Sequence, residues 1–185
     1  MAEQMTVIAV RETGHVVGAV TGAAADEPGV EQIAGAAFPI RMVVAGVPTP
    51  VVAVAADQLA VAGVPVDPAV FADPTDAFVV FPDTEDQDPT LELITSAGTV
   101  KLDDLTVDTV KVKVSGATLA DPTPFWVLFQ GRSGEPPVVL TGQVPAGADP
   151  STGPVPHILQ SGTAYDALVL VAGLRPHVDA NRSVP

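Results

Sequence analysis

The sequence predicts a mainly β protein built as two small antiparallel units with at most one or two short helices. Two observations predict it. The chain holds 32 valines, a residue stiff at its first side-chain torsion that packs well on a pleated surface. Short apolar runs recur about every ten residues between Gly, Pro and Asp punctuation, the spacing of strands and turns. Charged residues make up only 16% of the chain and aromatics 4%, against 47% hydrophobic residues supplied largely by alanine and valine, so too few charges are available to solvate the outside and the surface is expected to be covered.

Met5 to Val10 alternates into Arg11 and Glu12, Thr13-Gly14 interrupts, and His15 to Val20 resumes the apolar run, the pattern of a hairpin. Asp26 to Ala37 carries Val30, Ile33 and Ala34 at helical spacing after Glu-Pro-Gly, which predicts one short helix. Phe38–Ala45, Pro50–Ala56 and Gln58–Val66 are apolar runs cut by Gly46-Val47-Pro48 and Asp57, which predicts an antiparallel meander. Asp67 to Asp76 reads as a loop or one helical turn, and Ala77–Phe81 as a further strand.

Pro82 to Thr90 has no apolar member, and its prolines bracket four carboxylates. Such a segment repels itself and cannot pack. The expected organisation is therefore a hairpin and meander unit over 1–82, an acidic linker over 83–90, a sandwich over 91–178 and a tail over 179–185. Seven runs fill the sandwich: Leu91–Thr95, Thr99–Leu102, Thr109–Val114, Phe125–Gln130, Pro137–Val144, His157–Gln160 and Tyr165–Ala172. Period-two alternation in Val110-Lys111-Val112-Lys113-Val114 puts valines inward and lysines outward. Phe125-Trp126-Val127-Leu128-Phe129 runs unbroken, as a strand covered on both faces does, and belongs at the centre of a core.

The stretch Leu159-Gln160-Ser161-Gly162-Thr163-Ala164-Tyr165 resembles the corner between the fifth and sixth strands of immunoglobulin-like and fibronectin type III sandwiches. There a leucine ends one strand, a small turn follows, and a tyrosine opens the next. Trp126 resembles the core tryptophan of a central strand in those families. The resemblance spans about 107 to 173 and implies an Ig-like or fibronectin-like sandwich in which the Tyr165 hydroxyl bonds back to the corner backbone. No cysteine pair joins the sheets, and the residues after Gly173 give no convincing final strand.

Composition also bounds function. Zero cysteines exclude disulfides, thiolate metal sites and a cysteine nucleophile. The net charge of −14 lies mainly in the N-terminal half, where Glu12 to Val100 carries thirteen carboxylates and one basic residue, Arg41. That field repels phosphate backbones, so no nucleic-acid partner is expected. The first ten residues hold Glu3 and no long apolar run, which argues against a signal peptide and for synthesis in the cytoplasm. The longest apolar stretches, such as Val51–Ala56, are far below the roughly 18 residues that cross a bilayer.

The chemistry-bearing residues form no constellation. His15, His157 and His177 lie far apart, with exposed, half-buried and exposed positions expected in turn. Asp83, Glu85, Asp86 and Asp88 lack the glycine and distant glutamate of a calcium loop. Asp103-Asp104 beside Lys101 reads as a hairpin tip. Gly131-Arg132-Ser133-Gly134 is followed by Glu135-Pro136-Pro137, so no helix N-terminus can hold an anion there. No catalytic, cofactor-binding or metal residues are therefore expected, and no cofactor. The expectation is a non-enzymatic structural or adaptor subunit of a larger bacterial or phage-like assembly, because too few charged residues leave apolar strand faces to be covered. Its partners would be other protein subunits, the chain itself among the candidates. A binding module gripping carbohydrate or protein through sandwich loops, with Pro145–Pro156 the place to look, is the alternative.

Overall fold

A computed structural model describes residues 4–21, 29–44, 47–72, 74–82, 84 and 87–185. The chain is mainly β, with several small antiparallel sheets and, among the described residues, two short helices. It divides into two compact units: Met1–Ile40 with Ala53–Thr95, and Arg41–Val52 with Ser96–Pro185.

In the first unit, β1 (Gln4–Val10) lies between β2 (Val16–Thr21) and β5 (Leu59–Pro65). The hairpin of β1 and β2 is the one its sequence predicts. All of β1 after Gln4 is buried, and Met5, Val7 and Ala9 pack with Val16, Ala62, Val64, Val70, Ala77 and Val79. The meander is not formed. β3 (Ala37–Val44) and β4 (Val47–Ala55) make a separate two-stranded sheet, and β5 pairs with β1 from Gln4↔Pro65 to Val10↔Leu59. An apolar strand flanked on one side only would leave a row of main-chain groups open beside its core, and β5 closes that row. Arg11 fixes the register: its N–H donates to Gln58 O at 2.9 Å and its Nη2 to Leu59 O at 2.8 Å.

Helix α1 covers Val30–Ala34, within the expected segment, and the Gln32 side chain accepts the Gly29 N–H at 2.9 Å. The turn read over Asp67–Asp76 holds α2 (Pro68–Ala72), begun by Asp67 Oδ1 accepting the Ala69 N–H at 2.9 Å. β6 (Ala77–Val80) pairs with β7 (Thr90–Leu93). The Leu91 run thus completes a two-strand ladder in the first unit instead of opening the sandwich. Asp83, Glu85 and Asp86 of the expected linker lie outside the described residues.

The second unit is a two-sheet sandwich. The first sheet has the order β12 (Val138–Val144), β11 (Thr123–Gly131), β15 (Ala164–Val171), β16 (His177–Ser183). The second has β14 (Val155–Pro156), β9 (Thr109–Ser115), β8 (Thr99–Asp103), with a short pair of β10 (Thr118–Leu119) and β13 (Gly147–Ala148) beside them. Val110, Val112 and Val114 are fully buried, as the alternation predicts. They meet Phe125, Val127, Phe129, Tyr165, Ala167, Val169 and Val171 across the sandwich in one core.

Trp126 is fully buried, but it alternates away from the inter-sheet core: it and Leu128 share the opposite face with their pairing partners Leu170 and Leu168, all four nearly free of solvent. The expected tail is a strand. Residues 177–183 pair with β15 through Val169↔His177 and Ala164↔Ser183. His157–Gln160 is not a strand, although the His157 and Leu159 N–H groups still donate to Asp108 O and Val107 O at 2.8 Å.

Candidate functional site

The most demanding polar group described is Asp166, a carboxylate only 1% exposed in the middle of an apolar strand. Burying an ion is costly unless partners surround it. Arg132, in the β11–β12 turn, reaches it with a fork: Nε lies 3.0 and 3.2 Å from the two carboxylate oxygens and Nη2 2.8 Å from Oδ1. Asn181 N–H donates to the same Oδ1 at 2.9 Å. Asn181 has a positive φ of 57°, and the β15–β16 register shifts between Tyr165 and Ala167. The carboxylate therefore anchors a bulged edge strand to a hairpin turn, and its hydrogen bonds are spent on structure. The Gly131–Gly134 segment is the hairpin turn expected, with Ser133 N–H donating to Glu135 Oε2 at 3.0 Å. Asp166→Ala is expected to cost about 2 kcal/mol, because Asn181 N–H loses its acceptor while Arg132, 37% exposed, recovers water. Urea unfolding checks it; an unchanged midpoint would deny the anchor.

The corner at Tyr165 is built as its sequence implies. The Tyr165 hydroxyl accepts the Gln160 N–H at 3.0 Å, and its ring meets Phe129 edge-on at 6.3 Å. Tyr165→Phe leaves that N–H without its acceptor, for an expected loss of about 1 to 2 kcal/mol in urea melts.

The histidines stay apart from one another in role. His15 is 1% exposed, not at a solvated tip, because Val79 N–H donates to Gly14 O and His15 bridges Phe78, which docks the β1–β2 turn onto β6. Its Nδ1 lies 3.0 Å from Thr13 Oγ1. His157, 8% exposed, stacks on Phe129 at 5.7 Å with Nε2 3.0 Å from Thr106 O. His177 opens β16 and is half-buried. Among the described residues no three His, Asp or Glu side chains gather as metal ligands would.

Asp104, at φ 48°, pairs with Lys111 Nζ at 2.6 Å. That hydrogen bond, and then the lysine's charge, hold the carboxyl below its usual range and the ammonium above its own. The pair thus stabilises above the ordinary carboxylate pKa and fades as acid titrates Asp104, or as alkali titrates Lys111. Exposed on both sides, it contributes little.

Depressions among the described residues lie in each unit. In the first unit, an open groove of about 580 Å³ is lined by Gln4, Pro65, Asp67, Asp88 and Leu91, with Asp67 already engaged at α2. In the second, Ser96, Thr99, Arg175 and His177 line a cleft of about 210 Å³. The loop 145–156 is stitched down rather than free: Val114 N–H donates to Pro150 O and Thr152 N–H to Val112 O, both at 2.9 Å, while Thr152 Oγ1 accepts the Val112 N–H at 3.0 Å. Large apolar side chains are exposed instead at Val20, Val51, Val80 and Leu93 on strands, between 42% and 60%, and outside the strands at Ile158, 87%, and Val107, 38%. No helix among the described residues is long and apolar enough to cross a membrane. No protein-family model matches the chain, and no curated protein is similar to it.

Proposed function

We propose that this chain is a non-enzymatic structural or adaptor subunit of a larger bacterial or phage-like assembly, of the tail, baseplate or contractile injection type. One observation carries the reading: large apolar side chains stand in water on strands and beside them, on a chain with only 8 basic and 22 acidic residues to keep its surface wet. Exposed apolar groups on and beside open strands favour burial against other subunits. The polar groups that a site would need are instead committed to holding strands, Asp166 above all.

The second unit is read as an Ig-like or fibronectin-like sandwich, a common building block of assemblies. Its strand orders β12-β11-β15-β16 and β14-β9-β8 and the Tyr165 corner support that reading. Such sandwiches serve many roles, so the assembly proposal rests on the surface and not on the fold. Light scattering on purified protein over a wide concentration range tests it. Growth in mass with concentration is the expected result; a strict monomer at high concentration would favour the loop-binding module instead.

A further inference from the structure

The sheet of the second unit that holds Asp166 ends on β12, and main-chain geometry settles which of its groups look outward. In an antiparallel ladder the N–H and C=O of one residue point to the same side. Ala172 N–H donates to Pro124 O, and Arg132 N–H to Ala164 O, both at 3.1 Å, so the even-numbered residues of β11 address β15. The odd-numbered ones address β12. The register Phe125↔Gly142, Val127↔Leu140, Phe129↔Val138 then turns Val138, Leu140, Gly142 and Val144 inward. Val139, Thr141 and Gln143 direct their main-chain N–H and C=O away from the sheet, and among the described residues no strand pairs beyond them.

This free edge is symmetric about Thr141. Donors stand two residues away on either side, at Val139 and Gln143. The next outward positions, Pro137 and Pro145, are four residues away on either side and have no N–H. No charged side chain occurs from Pro136 to Gly147, whereas the sheet ends at β8 and β16 carry Lys101 and Asp103, and Asp179 and Arg182. Charges of that kind blunt an edge, and β12 has none. Thr141 and Gln143 are exposed.

We propose that β12 pairs antiparallel with β12 of a second copy of this chain, about a two-fold axis at Thr141, with Thr141 opposite Thr141 and Val139 opposite Gln143. The inference rests on the assembly reading and names its contact. A two-fold contact must be self-complementary, and a donor pattern that mirrors itself about one residue meets that demand. Sliding the register by two residues sets a proline opposite a donor and loses bonds. The net charge of −14 opposes self-association in general, but at physiological salt it is screened beyond about 8 Å, and the paired segment itself is neutral. A ladder this short belongs with weak, transient contacts, so the dimer forms in a concentration-dependent equilibrium.

The chain has no cysteine, so Thr141→Cys introduces a single thiol. Directly opposed residues of a hydrogen-bonded pair sit about 5.5 Å apart between Cα atoms, within disulfide reach. Under mild oxidation the Thr141→Cys protein should run as a linked dimer on a non-reducing gel, while Ser133→Cys, in the exposed β11–β12 turn, stays monomeric. Thr141→Pro removes the central outward donor and leaves the inward ladder intact, so it should lower the mass seen by light scattering with no change in circular dichroism. Thr141→Cys behaving like Ser133→Cys, or Thr141→Pro associating like the parent, would overturn the edge pairing. If the parent nonetheless associates, the assembly reading survives that failure; a parent that is monomeric throughout removes both.

Discussion

Trp126→Ala should lower the stability of the second unit by about 3 to 5 kcal/mol, the cost of deleting a large buried aromatic and leaving its cavity. Trp126 is the largest fully buried side chain described, and Leu128, Leu168 and Leu170 share its face of the sheet. Urea unfolding followed by far-UV circular dichroism reads the loss, because the substitution removes the only indole. A variant that melts with the parent would show that the outer face of this sheet is not a packed layer.

Gly14→Val should cost about 3 kcal/mol or more in the first unit, through two separate penalties. Gly14 has φ +72°, which a β-branched residue adopts only under strain, and a Cβ placed there would lie 2.1 Å from Val79 O. The obstacle is backbone, not a side chain that can swing away. Gly14 O also accepts the Val79 N–H at 2.8 Å, so relieving the clash undoes the link between the β1–β2 turn and β6. Amide exchange in Met5–Val16 and Ala77–Val80 should quicken together. Exchange at parental rates in that variant would contradict the tight docking of the turn.

Local pattern made several elements legible. Val110, Val112 and Val114 alternate with lysines, and a period of two has one structural meaning when one face must be buried. Phe125–Phe129 has no polar member, and both faces of that strand are covered. The Tyr165 hydroxyl bond to the Gln160 N–H is the contact that the resemblance over Leu159–Tyr165 implies.

What local pattern does not encode is which strand lies beside which. β5 pairs with β1 across about fifty residues, although β4 is its neighbour in sequence. β16 is not legible in the sequence because its residues His177, Asp179, Asn181 and Arg182 show no apolar alternation. It is an edge strand, half-wet on both faces, held by main-chain bonds and by Asp166. The Arg132–Asp166 fork joins residues 34 apart, and no spacing rule links a turn arginine to a carboxylate in an apolar run. The solitary Asp166 in Tyr165–Val171 was the available signal, since an unpaired charge is rarely tolerated there. His15 shows the same limit: a hairpin tip reads as exposed until another strand is known to close over it.

The β12 pairing predicts that the neutral edge of that strand is where two copies of this chain meet. Amide hydrogen exchange at Val139, Thr141 and Gln143, compared between dilute and concentrated protein, addresses it directly. These outward N–H groups should exchange rapidly when dilute and slow markedly on concentration, while Leu140 and Gly142 remain protected in both. Rapid exchange at all three outward positions in concentrated solution would contradict the account.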